Sequence, residues 1–319
     1  MEGENYTLAG QFLIVGFSDL PKLQIPLFLA FTLIYLITLI GNLLIMSIIY
    51  SSPHLHRPMY FFLMNLSFID ISCISVTFPQ MLAHFFLKGA LISLSECLLQ
   101  VYCFVFLLGT EFLLLTFMAF DRYVAICNPL HYRTMMNNNM CIQLIVVSWA
   151  AGLMIPLPHT VLMSQLSYCQ SHTINHFFCD ISALMTLSCT KTHIFETINY
   201  IVGSIFALAP FIFVITSYVK VISVILKMKS TEGRHKAFST CGSHLTVVIL
   251  FYGSVCPTYM RPTSLVSLKE NKILSLFYTT LPPMCNPIIY SLNNREFKNV
   301  LWKKKKEYRL LQHNIVQHD

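Results

Sequence analysis

Residues Met118 to Tyr132 read MAFDRYVAICNPLHY, and this stretch decides the fold because it sets an Asp-Arg pair at the end of an apolar run. The run before it, Leu98 to Phe120, carries one formally charged residue, Glu111. It is long enough to cross a bilayer, for which a helix needs about 20 apolar residues. Asp121 and Arg122 therefore sit at a membrane face. Working outward, six more apolar stretches of comparable length appear: Pro26 to Tyr50, Met59 to Phe86, Cys141 to Gln165, Ile194 to Leu226, Ala237 to Met260 and Ile273 to Leu292. The whole chain of 319 residues is 55% hydrophobic and 11% charged. Soluble domains carry roughly a quarter charged residues, so this composition excludes a soluble fold and predicts an all-α membrane protein, a bundle of seven transmembrane helices.

Orientation follows from the lysines and arginines, which are enriched on the cytoplasmic side. If the N-terminus is extracellular, only Lys22, Lys88, Lys191, Arg261, Lys269 and Lys272 of the 21 basic residues fall outside. The others, including the cluster Lys303 to Lys306, lie within. The first residues are acidic (Glu2, Glu4) and the apolar run Phe12 to Phe17 is shorter than a secretory signal core, so the first span is expected to act as its own insertion signal. Asn5-Tyr6-Thr7 is a glycosylation sequon on the outer segment. A second match, Asn65-Leu66-Ser67, lies inside a span, out of reach of glycosylation. The expected organisation is an extracellular segment (1–25), a seven-helix bundle (26–292) and a cytoplasmic tail (293–319). The net charge of +7 is spread over cytoplasmic loops with no soluble domain to present it, which points to inner-leaflet lipid and not to nucleic acid.

Ionisable groups inside a span are costly and mark functional positions. Glu111 lies roughly 16 Å above Arg122 at 1.5 Å rise per residue, and Asp70 lies at a similar depth in the second span. Two carboxylates in low dielectric share a proton or hold a cation such as Na⁺; the competing reading is a static hydrogen-bonded network. Asn42 and Asn286 lie nearer the cytoplasmic face and complete the cluster. Pro287 removes a backbone donor and bends the seventh span, freeing a carbonyl that Asn286 is placed to help satisfy. After that span, Asn293-Asn294-Arg295-Glu296 reads as a helix start. Phe297, Val300, Leu301 and Trp302 before four lysines then suit a short amphipathic helix on the inner leaflet.

Three motifs carry a resemblance to one family. MAFDRYVAICNPLHY is similar to the third-helix signature of olfactory receptors, a branch of the rhodopsin-like G-protein-coupled receptors, with Phe120 where Tyr is usual. Lys236 to Leu245, KAFSTCGSHL, resembles their sixth-helix entry, and Pro283 to Asn294, PMCNPIIYSLNN, resembles their seventh-helix end with Cys285 for Leu and Asn293 for Arg. PMYFFLMNLSFID, ending at Asp70, also fits the pattern. The Asn293 change removes a cytoplasmic charge and puts coupling strength or surface delivery in question.

The resemblance implies disulfides Cys97–Cys179 and Cys169–Cys189 among four outer cysteines that by themselves allow three pairings. His172, His176 and Cys179 have a spacing that suits copper or zinc, but an oxidised Cys179 is no thiolate ligand, so no metal site is expected. The resemblance further implies that Asp121 holds Arg122 at rest. Arg122 is then released to Tyr218 and Tyr290 on activation, with Tyr123, Lys236, His244, Asn286 and Pro287 in the coupling machinery. A ligand cavity is implied among Phe104, Val105, Leu108 and Gly109 of the third span, Val202, Gly203 and Phe206 of the fifth, Tyr252, Val255, Cys256 and Tyr259 of the sixth, and Thr279 of the seventh. So lined, it favours small, apolar, volatile molecules, with Tyr252, Tyr259 and Thr279 offering the orienting hydrogen bonds. Implied partners are a heterotrimeric stimulatory G protein, membrane lipid at the plasma membrane and a trafficking chaperone. The alternatives are a rhodopsin-like receptor for a lipid or metabolite and, from another class, a small transporter or channel. The latter would show repeated halves or a charged pathway. Scattered His84, His159 and His244 supply no catalytic constellation, so no enzyme and no catalytic residue is expected.

Overall fold

The computed structural model describes residues 11–17, 20–86, 90–169, 172–190, 193–259, 268–293 and 297–303. In chain order these form strand β1 (Gln11–Ile14), helices α1 (Gln24–Tyr50) and α2 (Pro58–Ala83), strand β2 (Ala90–Ser93), helix α3 (Leu94–Cys127), the one-turn α4 (Tyr132–Met135), helices α5 (Asn138–Met154) and α6 (Pro156–Ser164), strand β3 (Thr173–Ile174), the short α7 (Ile181–Met185), and helices α8 (His193–Lys227), α9 (Thr231–Tyr259) and α10 (Leu268–Asn293). Residues 297–303 are helical as well. The membrane bundle is α1, α2, α3, the pair α5–α6, α8, α9 and α10. The first six of these spans are long and apolar enough to cross a bilayer. The seventh, α10, carries Lys269, Glu270 and Lys272 at its outer end and Pro282, Pro283 and Pro287 further in. It packs on α9, α1 and α2.

Helix ends differ from the apolar runs for identifiable reasons. α3 begins at a capping box, in which Ser93 accepts from the Glu96 N–H while the Glu96 carboxylate accepts from the Ser93 N–H at 2.9 Å. It continues past Phe120 to Cys127 and stops before Asn128-Pro129, where the proline disfavours helix in the preceding residue. Asp121 and Arg122 therefore lie inside the helix and not at its end. The fourth span is interrupted at Ile155, because Pro156 and Pro158 contribute no N–H to the helical ladder.

Helix α3 is the axis of the bundle, touching α2, α5, α6, α8 and α9. Its Leu114, Leu115 and Ala119 are fully buried, whereas α1 turns Ile25, Leu29, Leu33 and Ile40 outward. Those outward chains are where lipid tails replace protein as the apolar solvent.

One outer feature departs from the all-helical expectation. A three-stranded sheet in the order β2-β1-β3 pairs the N-terminal segment antiparallel to β2 and parallel to β3. Strands of two to four residues are too short to show a period in sequence. Phe12 and Ile14 nevertheless point inward and are buried. Next to the sheet, the Phe17 ring packs on Phe31, Phe85 and Phe177 at 5.4–6.2 Å between centroids, and the Lys272 ammonium sits over it at 5.1 Å.

Candidate functional site

Three layers stack along α3. The outer layer is roofed by the long external loop. Cys97 at the top of α3 is bonded to Cys179, and Cys169 to Cys189. The Cys179 N–H donates to the Gln100 side-chain oxygen at 2.9 Å, and the Gln100 amide in turn donates to Val76 O at 2.8 Å and Gln80 Oε1 at 2.7 Å. This chain fixes the loop to α3 and α2, so that Phe177 and Phe178 are fully buried and Phe178 packs on Phe104. Within the loop, burial is the main cause that drives His176 down from its ordinary 6.5 to about 4; Asp180 opposes this and Lys272 adds to it.

Beneath that roof lies a cavity of about 110 Å³, lined by Val105, Leu108 and Gly109 of α3, Val202, Gly203 and Phe206 of α8, and Val255 and Cys256 of α9, eight of the twelve residues expected from sequence. Phe112, Leu113, Ile155, His159, Ile181 and Ala207 also line it. Three expected members point elsewhere. Phe104 is spent on Phe178 and Tyr278, and Tyr252 is wedged between Phe112, Phe211 and Phe251. The Thr279 hydroxyl donates to Ser275 O at 2.8 Å and does not reach the cavity. The Tyr259 side chain lies outside the described residues. The polar side chain that does line the cavity is His159, which the sequence reading had not placed there.

At mid-depth, Asp70 is fully buried and accepts from the Asn286 amide at 3.0 and 3.2 Å. Glu111 is buried close enough to interact with it electrostatically. The Asn42 amide donates to Thr38 O at 3.0 Å and Pro283 O at 3.1 Å. Pro283 is four residues before Pro287, so the carbonyl that Pro287 frees is satisfied from α1 by Asn42, and not by Asn286 as the sequence led us to expect. Gly41 permits this approach, since a Cβ there would stand 3.1 Å from the Pro287 ring. Asn42 Oδ1, Asn286 Oδ1 and Glu111 Oε1 are buried with no hydrogen-bond partner among the described residues.

At the inner face, Arg122 pairs with Asp121 through Nε at 3.0 Å and through Nη2. Asp121 is completely buried, and its second oxygen accepts from the Tyr132 hydroxyl of α4 at 2.8 Å. Tyr132 is a partner that the sequence motif contains but does not announce. Tyr218 and His244 share a hydrogen bond of 2.6 Å between α8 and α9, and Tyr290 is buried nearby on α10. Lys220 lies over the Tyr123 ring at 5.6 Å. The Lys236 side chain, Asn5 and the helix start at 294–296 lie outside the described residues. In 297–303, Phe297 is buried and Trp302 exposed. Asn65, the second sequon, is occupied inside the bundle by Phe61 O and the Trp149 indole.

A bundle of seven spanning helices, closed outside by a disulfide-pinned loop and carrying Asp-Arg at its inner end, is the fold of the G-protein-coupled receptor class. The family model for the olfactory receptor matches residues 31–307. The chain is 46% identical over 303 residues to olfactory receptor 8D1 of Homo sapiens, covering 95% of this chain and 98% of that one. It is 46% identical to olfactory receptor 1E16 of Mus musculus, covering 94% and 96%, and 45% identical to olfactory receptor 1 of Rattus norvegicus with the same coverage. The chain belongs to the olfactory receptor family, a family of receptors and not of enzymes. It is a multi-pass protein of the plasma membrane with an odorant-receptor function, for which a small-molecule ligand and a G protein are the general partners.

Proposed function

We propose that the receptor binds small, mostly apolar volatile molecules in the cavity beneath the external loop and activates a stimulatory G protein, raising cyclic AMP. The observation that carries this reading is the cavity itself, apolar and lined by α3, α6, α7, α8 and α9, with α3 running unbroken from its wall to the Asp121–Arg122 pair. At about 110 Å³ it is far larger than the ~10–15 Å³ one water needs. Among the described residues no carboxylate lines it, which argues against amine ligands. A ligand that draws α8 and α9 against α3 shifts the resting equilibrium only by its differential affinity for the two states. In the active state Arg122 leaves Asp121 and meets Tyr218 and Tyr290.

The mid-depth cluster acts in this reading as a switch that shares a proton or holds a Na⁺ ion. Asn286 Oδ1 and Glu111 Oε1, both without a hydrogen-bond partner among the described residues and both on side chains that interact with Asp70, are oxygens of the kind a small hard cation takes. Such an ion would supply the positive charge that two neighbouring carboxylates lack. The test of the main proposal is cyclic AMP in cells carrying a stimulatory G protein, recorded against a panel of volatile compounds. A response in the parent that disappears in equally displayed Arg122→Ala supports it. A response that survives that substitution, or silence of a surface-displayed parent across the panel, counts against it.

A further inference from the structure

His159 is 9% exposed and, among the described residues, is the one strong hydrogen-bonding side chain in the cavity wall, the other polar lining group among them being the Cys256 thiol, a weak donor. Its Nδ1 faces the Ile155 carbonyl at 3.4 Å. A carbonyl only accepts, so the tautomer that makes this contact a hydrogen bond has its proton on Nδ1 and leaves Nε2 as a lone pair. That Nε2 is buried and has no partner among the described residues. The ring is held edge-on to Phe195 at 6.3 Å between centroids. Ile155 and His159 are four residues apart and so lie on adjacent helical turns.

The same histidine also lines a second space of about 350 Å³ between α6 and α8, sharing Ile155, Val202 and Phe206 with the first. That space is walled by Met154, Leu162 and Ile198, side chains exposed on the lipid-facing surface. From above, the β-sheet, the Cys97–Cys179 bridge and the buried Phe177–Phe178 pair cover the bundle. His159 thus stands between the inner cavity and an apolar crevice facing the outer leaflet.

We infer that His159 is the specificity-determining acceptor of this receptor and that it selects small apolar ligands bearing a hydroxyl group. The inference rests on the odorant-binding reading of the cavity. When the ring turns about its Cβ–Cγ bond to bring Nε2 to the cavity, an alcohol or phenol donates its O–H to it and lays its hydrocarbon against Leu108, Phe112 and Val255. A methyl ether or aldehyde of the same skeleton has no proton to give and leaves the buried lone pair unpaired, which is the costly arrangement.

The test uses the full-length receptor and matched sets of primary alcohols, phenols, their methyl ethers and the corresponding aldehydes, read as cyclic AMP dose-response curves at equal surface display. The parent should respond to hydroxyl compounds at roughly ten-fold lower concentration than to the matched ethers, the scale of one net hydrogen bond. His159→Phe should remove that ratio, and His159→Gln, which keeps an acceptor, should retain most of it. An equal response of the parent to alcohols and ethers overturns the inference, as does a preference that survives in His159→Phe. Silence of the displayed parent toward every compound overturns the functional reading beneath it as well, so the two failures are distinguishable.

Discussion

Asn42 donates its amide to the Pro283 carbonyl at 3.1 Å, and that carbonyl is the one left without a helical donor by Pro287. The bond joins α1 to the bend of α10 in a region where water cannot substitute. Asn42→Ala should therefore lower the stability of the purified receptor by about 1–3 kcal/mol, the cost of a buried acceptor left unpaired. Thermal unfolding in detergent measures this, and an unchanged midpoint would show that the bend is held by other contacts.

Asp121 holds Arg122 while receiving the Tyr132 hydroxyl. Asp121→Asn should weaken the resting pair and raise cyclic AMP in the absence of any ligand, several-fold at matched surface level. Tyr132→Phe removes one neutral bond to the same carboxylate and should act in the same direction, by less. Basal activity at or below the parent level in both variants would remove the resting role from this pair.

Two glycines separate packing from binding. A Cβ at Gly152 would stand 2.0 Å from Thr110 Oγ1 and 2.9 Å from the Phe106 carbonyl, whereas one at Gly203 meets nothing within 4 Å. Gly152→Ala should force α5 away from α3 and sharply reduce surface delivery. Gly203→Ala should be delivered normally and alter only ligand potency. Flow cytometry of tagged receptors compares them, and equal delivery of the two variants would contradict the close α3–α5 approach.

The outer cap should be acid-sensitive. His176 is neutral in the folded loop, with its value lowered by burial from 6.5 to about 4. The folded state therefore binds fewer protons than the unfolded state between those values. Its contribution is complete above pH 6.5 and is lost as pH falls toward 4. Thermal melting of the parent between pH 7 and pH 4.5 should show a decline that His176→Phe flattens. A parallel decline in both proteins would place the acid sensitivity elsewhere.

Asp70 and Glu111 supply the remaining test of the mid-depth cluster. If they share a proton or a Na⁺ ion, the concentration of ligand needed for half-response should shift with sodium in the parent and stop shifting in Asp70→Asn. A sodium-independent parent would leave the cluster as a static tie between α2 and α10.

Much of this was legible in the chain because a bilayer imposes length and polarity on every span. Seven apolar runs, a basic inner side and a few intramembrane polar residues define the bundle before any packing is considered. What escaped was set by geometry between distant segments. The partner of the Pro283 carbonyl depends on how closely Gly41 lets α1 approach α10. His159 lines the cavity from beyond the break at Pro156, and the Thr279 hydroxyl is taken by its own helix. Strands β1, β2 and β3 are too short for a period, and their pairing is decided by the loops that bring them together.

The most direct measurement is nucleotide exchange by a stimulatory G protein on the purified receptor in lipid nanodiscs, with and without a volatile agonist found in the cellular panel. The parent should accelerate exchange when the agonist is added. Gly203→Phe, which places a ring in the cavity, should lose that acceleration, and Arg122→Ala should lose it without losing agonist binding. Acceleration by the agonist that persists at parental level in Gly203→Phe would contradict the claim that this cavity is where the ligand acts.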